Sequence, residues 1–413
     1  MALEPRRRAR RLLAYLRSER RTLRQGFAAL VLGTVTAFIA GVTLASITDT
    51  LEMLPGLLIL IPAVLGMRGT IFGAIGARLG TSTHAGLFEA TLARNGVLYQ
   101  NVYVGVVMTL TSSLWLAALA KIAAGAFGLR SISLLDFIVI SVIGGVVDSA
   151  FILTITIGLS VLSYRRGYDL DAVATPLITA VADMLTVPAL FAATFLIRVS
   201  WLRTSLAAVA ILACVYAGIR GALTDLRMAR RILLEMVAVV LLTPLLDILA
   251  GAALEPRLER FARFPSLLVL VPPFVATAGA LGGILSSRLS SKLQLGILTP
   301  RGLPEGPALL DAGLVLGFGT VIFTFMGGLG LAYASLFPGE SPGAAALVVG
   351  TLLAGMLATL VAVPCAYYIA ILTTRFGLDP DNHSVPIITS VMDLTGVLAF
   401  LAVLSLFGVA THA

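Results

Sequence analysis

Two aspartates carry the chemistry this sequence offers. Asp183 lies in TPLITAVADMLTVP and Asp393 in VPIITSVMDLTGVL, 210 positions apart. Pro176 and Pro386, Ile178 and Ile388, and Thr179 and Thr389 match at the same offset. Upstream, Arg165 matches Arg375, Gly167 matches Gly377, Asp169 matches Asp379 and Asp171 matches Asp381. Both aspartates sit in long apolar runs, and an ionisable group at membrane depth by default faces a cavity or an ion path. Two of them at matched places predict one site on a pseudo-symmetry axis. On a helix, Pro176, Thr179, Asp183 and Thr186 form one stripe, and Pro386, Thr389, Asp393 and Gly396 repeat it. A hard divalent cation takes oxygen ligands, and magnesium keeps much of its water. Carboxylates facing each other across an axis, with the hydroxyls of Thr179, Thr389 and Ser390 close by, suit such a hydrated ion. The competing reading pairs each aspartate privately with a base or a helix end. Arg68 is the arginine that falls well inside an apolar run.

The elements that must position these groups are membrane spans. The chain is 58% hydrophobic and 12% charged, with a mean hydropathy of +1.01, whereas soluble domains carry about 25% charged residues. A polytopic all-α membrane protein is predicted, with spans near 26–47, 55–80, 97–126, 134–163, 172–198, 204–222, 232–254, 265–289, 308–337, 343–374 and 384–409. The repeat pairs the first five with the last five. The predicted organisation is a basic N-terminal tail (1–25), a five-helix repeat (26–198), a linker with one span (199–231) and a second five-helix repeat (232–409). A five-helix unit begins and ends on opposite sides of the membrane, so the extra crossing makes the two copies parallel. Most Lys and Arg then fall on the side of the N-terminus, which places that end in the cytoplasm of a plasma-membrane protein. The net charge of +8 comes mainly from arginines at helix ends, which argues against nucleic-acid binding. Cys214 and Cys365 support neither a disulfide framework nor a zinc site. No nucleophile elbow or phosphate loop points to an enzyme, and no organic cofactor is expected.

The second helix of each half carries its own matched set: Pro62/Pro272, Gly69/Gly279, Gly73/Gly283, Arg78/Arg288 and Gly86/Gly296. Such proline and glycine predict either a kinked, partly unwound helix or close helix contact. Asp148 and Asp247 lie in apolar runs without acidic counterparts. Each is open to two readings, accessory ligand or buried hydrogen-bonded acid. Asp171 and Asp381 read as helix caps.

The segment GLDPDNHSVPIITSVMDLTG resembles the last two helices of the MgtE magnesium transporter family, and GYDLDAVATPLITAVADMLT is a weaker copy. Two such units fused through a linker helix resemble solute carrier family 41 and its prokaryotic relatives. The resemblance implies magnesium transport through a pore lined by both repeats, with Asp183 and Asp393 as the central cation-binding residues and Glu255, the acid at the end of a first helix, as a further metal-site residue. Ala45 stands at the position matching Glu255, and Thr70 and Ala280 stand where the family usually has Asn. The cytosolic gating region and CBS domains of bacterial MgtE have no counterpart, so sensing by them is not expected. The expected partners are Mg2+ as the transported ion, the lipid bilayer and Na+ or H+ as coupling ion. The alternative is a carrier for another divalent metal or an organic cation. Since one chain supplies both halves, a functional monomer is expected. The one-sided residues, Glu255 against Ala45 and Gly396 against Thr186 among them, predict an ion displaced toward the second repeat.

Overall fold

The computed structural model describes residues 20–166, 170–300, 302–377 and 383–408. These residues form helices α1 (Arg20–Ser46), α2 (Thr48–Met53), α3 (Leu57–His84), α4 (Val97–Ala126), α5 (Leu134–Arg166), α6 (Leu170–Thr194), α7 (Ser200–Ala222), α8 (Arg227–Leu254), α9 (Leu258–Arg263), α10 (Pro265–Gln294), α11 (Gly306–Leu336), α12 (Ala345–Arg375) and α13 (Ser384–Leu406). All but α2 and α9 are long and apolar enough to cross a membrane, which makes eleven candidate spans. Helices satisfy their backbone groups internally, which a hydrocarbon surrounding demands. Large apolar side chains face outward along them, among them Leu212, Tyr216, Leu242 and Leu360, as a lipid-facing surface requires.

Six spans precede α8, so α1 and α8 run the same way and the halves are parallel. The halves interlock. α1 packs against α10 of the other half and α6 of its own, while α8 packs against α3 of the other half and α13 of its own. Gly41 on α1 lies so close to α10 that a Cβ would collide with the Val269 carbonyl. Gly251 on α8 stands the same way against the Ile59 carbonyl on α3. Gly41 and Gly251 are 210 apart, as are Ile59 and Val269. Such reciprocal contacts are the signature of a two-fold relation.

Helix ends repeat as well. Gly86 (φ 70°) and Gly296 (φ 68°) close α3 and α10 in the left-handed conformation. The following N–H groups, of Leu87 and Ile297, return 2.9 Å to the carbonyls of Ser82 and Lys292. This is the αL closure that glycine permits at a helix end. Both α3 and α10 continue unbroken through Pro62 and through Pro272 and Pro273. Their proline and glycine therefore serve close contact rather than an unwound segment.

The halves differ at the start of their fourth spans. At α5, Ser133 and Asp136 exchange hydrogen bonds as a capping box: Ser133 Oγ donates to Asp136 Oδ2 at 2.6 Å, and the Asp136 N–H donates to Ser133 Oγ at 3.2 Å. The matching positions are Gly343 and Ala346. Without those side chains, α12 opens instead with a π-helical turn, Ala345–Gly350. The linker helix α7 lies outside the two-fold arrangement, against α4 and α5. The stretch after α8, expected as a loop, is a 3₁₀ turn followed by α9.

Candidate functional site

The last helix of each half lies over the glycine face of the second helix. On α6, Thr179 faces Gly73 of α3, its Cγ2 3.6 Å from where a Cβ would stand. On α13, Thr389 faces Gly283 of α10 at 3.8 Å by the same measure. Four residues further along α13, Asp393 reaches into the junction between the halves. Its Oδ1 is 3.4 Å from the absent Cβ of Gly279 on α10, and its Oδ2 is 3.3 Å from that of Gly66 on α3. Asp393 is buried and Asp183 half-buried, and Asp183 stands near enough for its charge to act on Asp393.

A third carboxyl joins them. Asp247 on α8 is within hydrogen-bonding distance of both Asp393 and Ser390. Its Oδ2 is 3.0 Å from the same Gly66 position. Asp247 was one of the two acids with an open reading, because it lacks a counterpart 210 residues away. Its own signal was an acid in the middle of the apolar run LLTPLLDILAG.

The other open acid resolves differently. Asp148 on α5 accepts from Arg68 Nε at 3.1 Å, from Thr186 at 3.0 Å and from Ser149 at 3.0 Å. Arg68 Nη2 also donates to Ser113 at 3.0 Å. Arg68 and Asp148 have no solvent exposure. Arg68 is therefore not the partner of Asp183, and Thr186 turns to Asp148 rather than extending the Asp183 stripe as a ligand. The second half solves the same space without charge. Ala278, Ala358 and Phe323 stand at the positions of Arg68, Asp148 and Ser113. A Cβ at Gly145 would meet the Arg68 guanidinium, and one at the matching Gly355 would meet the Phe323 ring. Phe323 packs with Phe274, at 5.1 Å between ring centroids, and Phe274 packs with Phe400 at 4.9 Å.

Glu255 is brought elsewhere. Its Oε1 accepts from the backbone N–H of Gly56 and so caps the start of α3 across the interface between halves, while its Oε2 is buried without a hydrogen-bond partner. Gly56 lies ten residues before Gly66, about 15 Å along a helix, so Glu255 is not among the converging aspartates. The matching end of α10 has Ala45 in place of the acid, and Ser266 Oγ there is buried without a partner. Glu255→Ala is expected to lower stability by about 0.5–2 kcal/mol, the usual worth of a cap. Loss of the monodisperse peak on heating detergent-solubilised protein measures it. Asp169, Asp379, Asp381 and Asn382 lie outside the described residues, as does the side chain of Asp171.

The interior bases are committed to other groups. Arg68 holds Asp148, and Arg288 and Lys292 hold Asp311. Among the described residues no Arg or Lys pairs with Asp183, Asp247 or Asp393. Buried charges require compensation, and none of these three carboxyls receives it from a basic side chain among the described residues. Among the described residues no three His, Cys, Asp or Glu side chains form a set placed to hold a metal ion directly. Carboxylates and hydroxyls are the groups through which a hydrated hard cation is held.

Comparison with known proteins agrees with this chemistry. The MgtE profile, described as divalent cation transporter, matches residues 61–193 and 271–403, two segments displaced by the same 210 positions. Solute carrier family 41 member 3 of Rattus norvegicus is 25% identical over 369 residues, covering 82% of this chain and 77% of the relative. The Mus musculus protein of the same name is 24% identical over 362 residues, covering 82% and 73%. No solved structure matches the chain. With both halves matched and the carboxyls set between them, the chain belongs to the MgtE family of divalent cation transporters.

Proposed function

We propose that this protein carries Mg2+ across the plasma membrane through a central pore between its two halves, residues 26–198 and 232–409, with 199–231 as linker. Asp183 and Asp393 supply the charge that attracts the ion. The hydroxyls of Thr179, Thr389 and Ser390 bind its water. The single observation that carries this reading is the position of Asp393, whose two oxygens face the second helices of both halves with no basic side chain paired to it among the described residues. A group in that place serves the junction rather than either half. In this reading the N-terminus is cytoplasmic and one chain is a functional unit, because it already supplies both walls. Glu255 acts at the start of α3, steadying the mouth rather than binding the ion.

The test is flux. Purified protein in proteoliposomes should take up Mg2+ down its gradient, and protein-free vesicles should not. Repeating the assay with imposed Na+ and H+ gradients separates an exchanger, whose flux follows the gradient, from a channel, whose flux ignores it. Failure to move Mg2+ while another divalent metal or an organic cation passes would overturn the magnesium assignment.

A further inference from the structure

Around the carboxyls the two halves stop matching. Asp247, Ser390 and Gly66 stand where the two-fold relation puts Ala37, Ala180 and Ala276. Ala37 and Ala180 are fully buried, so that side is closed by methyl groups. On the other side the Oδ2 atoms of Asp247 and Asp393 converge on Gly66, 3.0 and 3.3 Å from the point a Cβ would occupy. Ser390 stands beside Asp247, one turn before Asp393. Asp247 is 1% exposed, and its Oδ1 is buried with no hydrogen-bond partner. An orphaned carboxylate oxygen carries a desolvation cost that a bound cation and its water remove.

We propose that Asp247 is a third cation-binding residue, holding the hydrated divalent ion off the two-fold axis between α8, α13 and the Gly66 turn of α3. Asp183 then acts from across the axis. The proposal rests on the transport reading above and adds to it a specific side: beyond the paired Asp183/Asp393 and Thr179/Thr389, one side has Asp247, Ser390 and Gly66 where the other has alanines. Gly66 matters because any side chain there would fill the place where the two oxygens meet.

The experiment uses full-length protein. Mn2+ binding is measured by electron paramagnetic resonance in detergent, and Mg2+ flux is measured in proteoliposomes. Asp247→Asn keeps the shape and a hydrogen-bonding oxygen for Ser390, and is expected to weaken Mn2+ binding and slow Mg2+ flux by about tenfold or more, a loss of about 1.4 kcal/mol per decade. Gly66→Ala retains all three carboxyls and favours the helix. It is expected to weaken binding several-fold through the added methyl alone. Native Mn2+ affinity and flux in Asp247→Asn would overturn the proposal. If that variant is not monodisperse on gel filtration, Gly66→Ala decides, and native affinity there would overturn it. A loss in Asp393→Asn with native behaviour in Asp247→Asn removes only the third residue. Native behaviour in both removes the transport site itself.

Discussion

Asp393→Asn is expected to abolish measurable Mg2+ uptake, and Asp183→Asn to reduce it by about tenfold or more. Two unit charges 4 Å apart attract by about 4 kcal/mol at an effective dielectric of 20, and a divalent ion doubles the attraction while an intervening water weakens it. Losing even about 2.8 kcal/mol of that attraction is a hundredfold in occupancy. Asn keeps the size of the side chain and leaves the packing against Gly66 and Gly279 intact, so the loss reports charge rather than shape. Asp393 is buried and touches both second helices, whereas Asp183 is half-buried and no such contact with both is seen for it. The larger effect therefore belongs to Asp393. Uptake by proteoliposomes containing equal amounts of folded variant is the measurement. Native rates in both variants would mean that the ion passes elsewhere.

The second large effect concerns stability. Arg68→Met leaves Asp148 as a buried charge without its counter-ion, and breaking such a pair costs about 3–5 kcal/mol. The two remaining donors to Asp148, Thr186 and Ser149, carry no charge. The variant is expected to express poorly and to lose its monodisperse peak far below the native temperature. The second half supplies the compensating design. Combining Arg68→Ala, Asp148→Ala and Ser113→Phe reproduces Ala278, Ala358 and Phe323, and replacing a buried ion pair by packed apolar groups is often neutral or stabilising. The triple variant should therefore be more stable than Arg68→Met. The reverse order of thermal stability would show that the network does more than fill this space.

The two parts of the site differed in how far they could be read from residues alone. Asp183 and Asp393 announced themselves by repetition, since an acid in an apolar run that recurs with its neighbours is hard to explain by packing. The spans were legible for the same reason that hydropathy works in a membrane: the backbone has few alternatives to a helix. The span expected at 204–222 is the helix Ser200–Ala222, and that at 343–374 is Ala345–Arg375. Asp247 was left open because comparison of the halves rewards symmetry, and its importance lies in lacking a counterpart. Glu255 is expected from sequence among the metal-binding residues, but its carboxylate meets Gly56, 199 residues away in sequence. No local pattern encodes such a meeting. The pairing of Arg68 with Asp148 was invisible for the same reason, as it depends on which faces of α3 and α5 meet.

The exchange of first helices between halves, fixed by Gly41 against Val269 and Gly251 against Ile59, has a consequence for how this chain can change over generations. Each half completes its wall with a helix encoded in the other, so neither half is a self-sufficient unit on which selection acts alone. A substitution on α1 alters the surroundings of α10, and one on α8 alters those of α3. Duplicated halves that merely sat side by side could drift until one became dispensable. Clasped halves cannot: one may exchange an ion pair for aromatic rings or a capping serine for glycine, but it must keep the shape its twin grips. Divergence in chemistry under a conserved outline is the inheritance such a clasp permits.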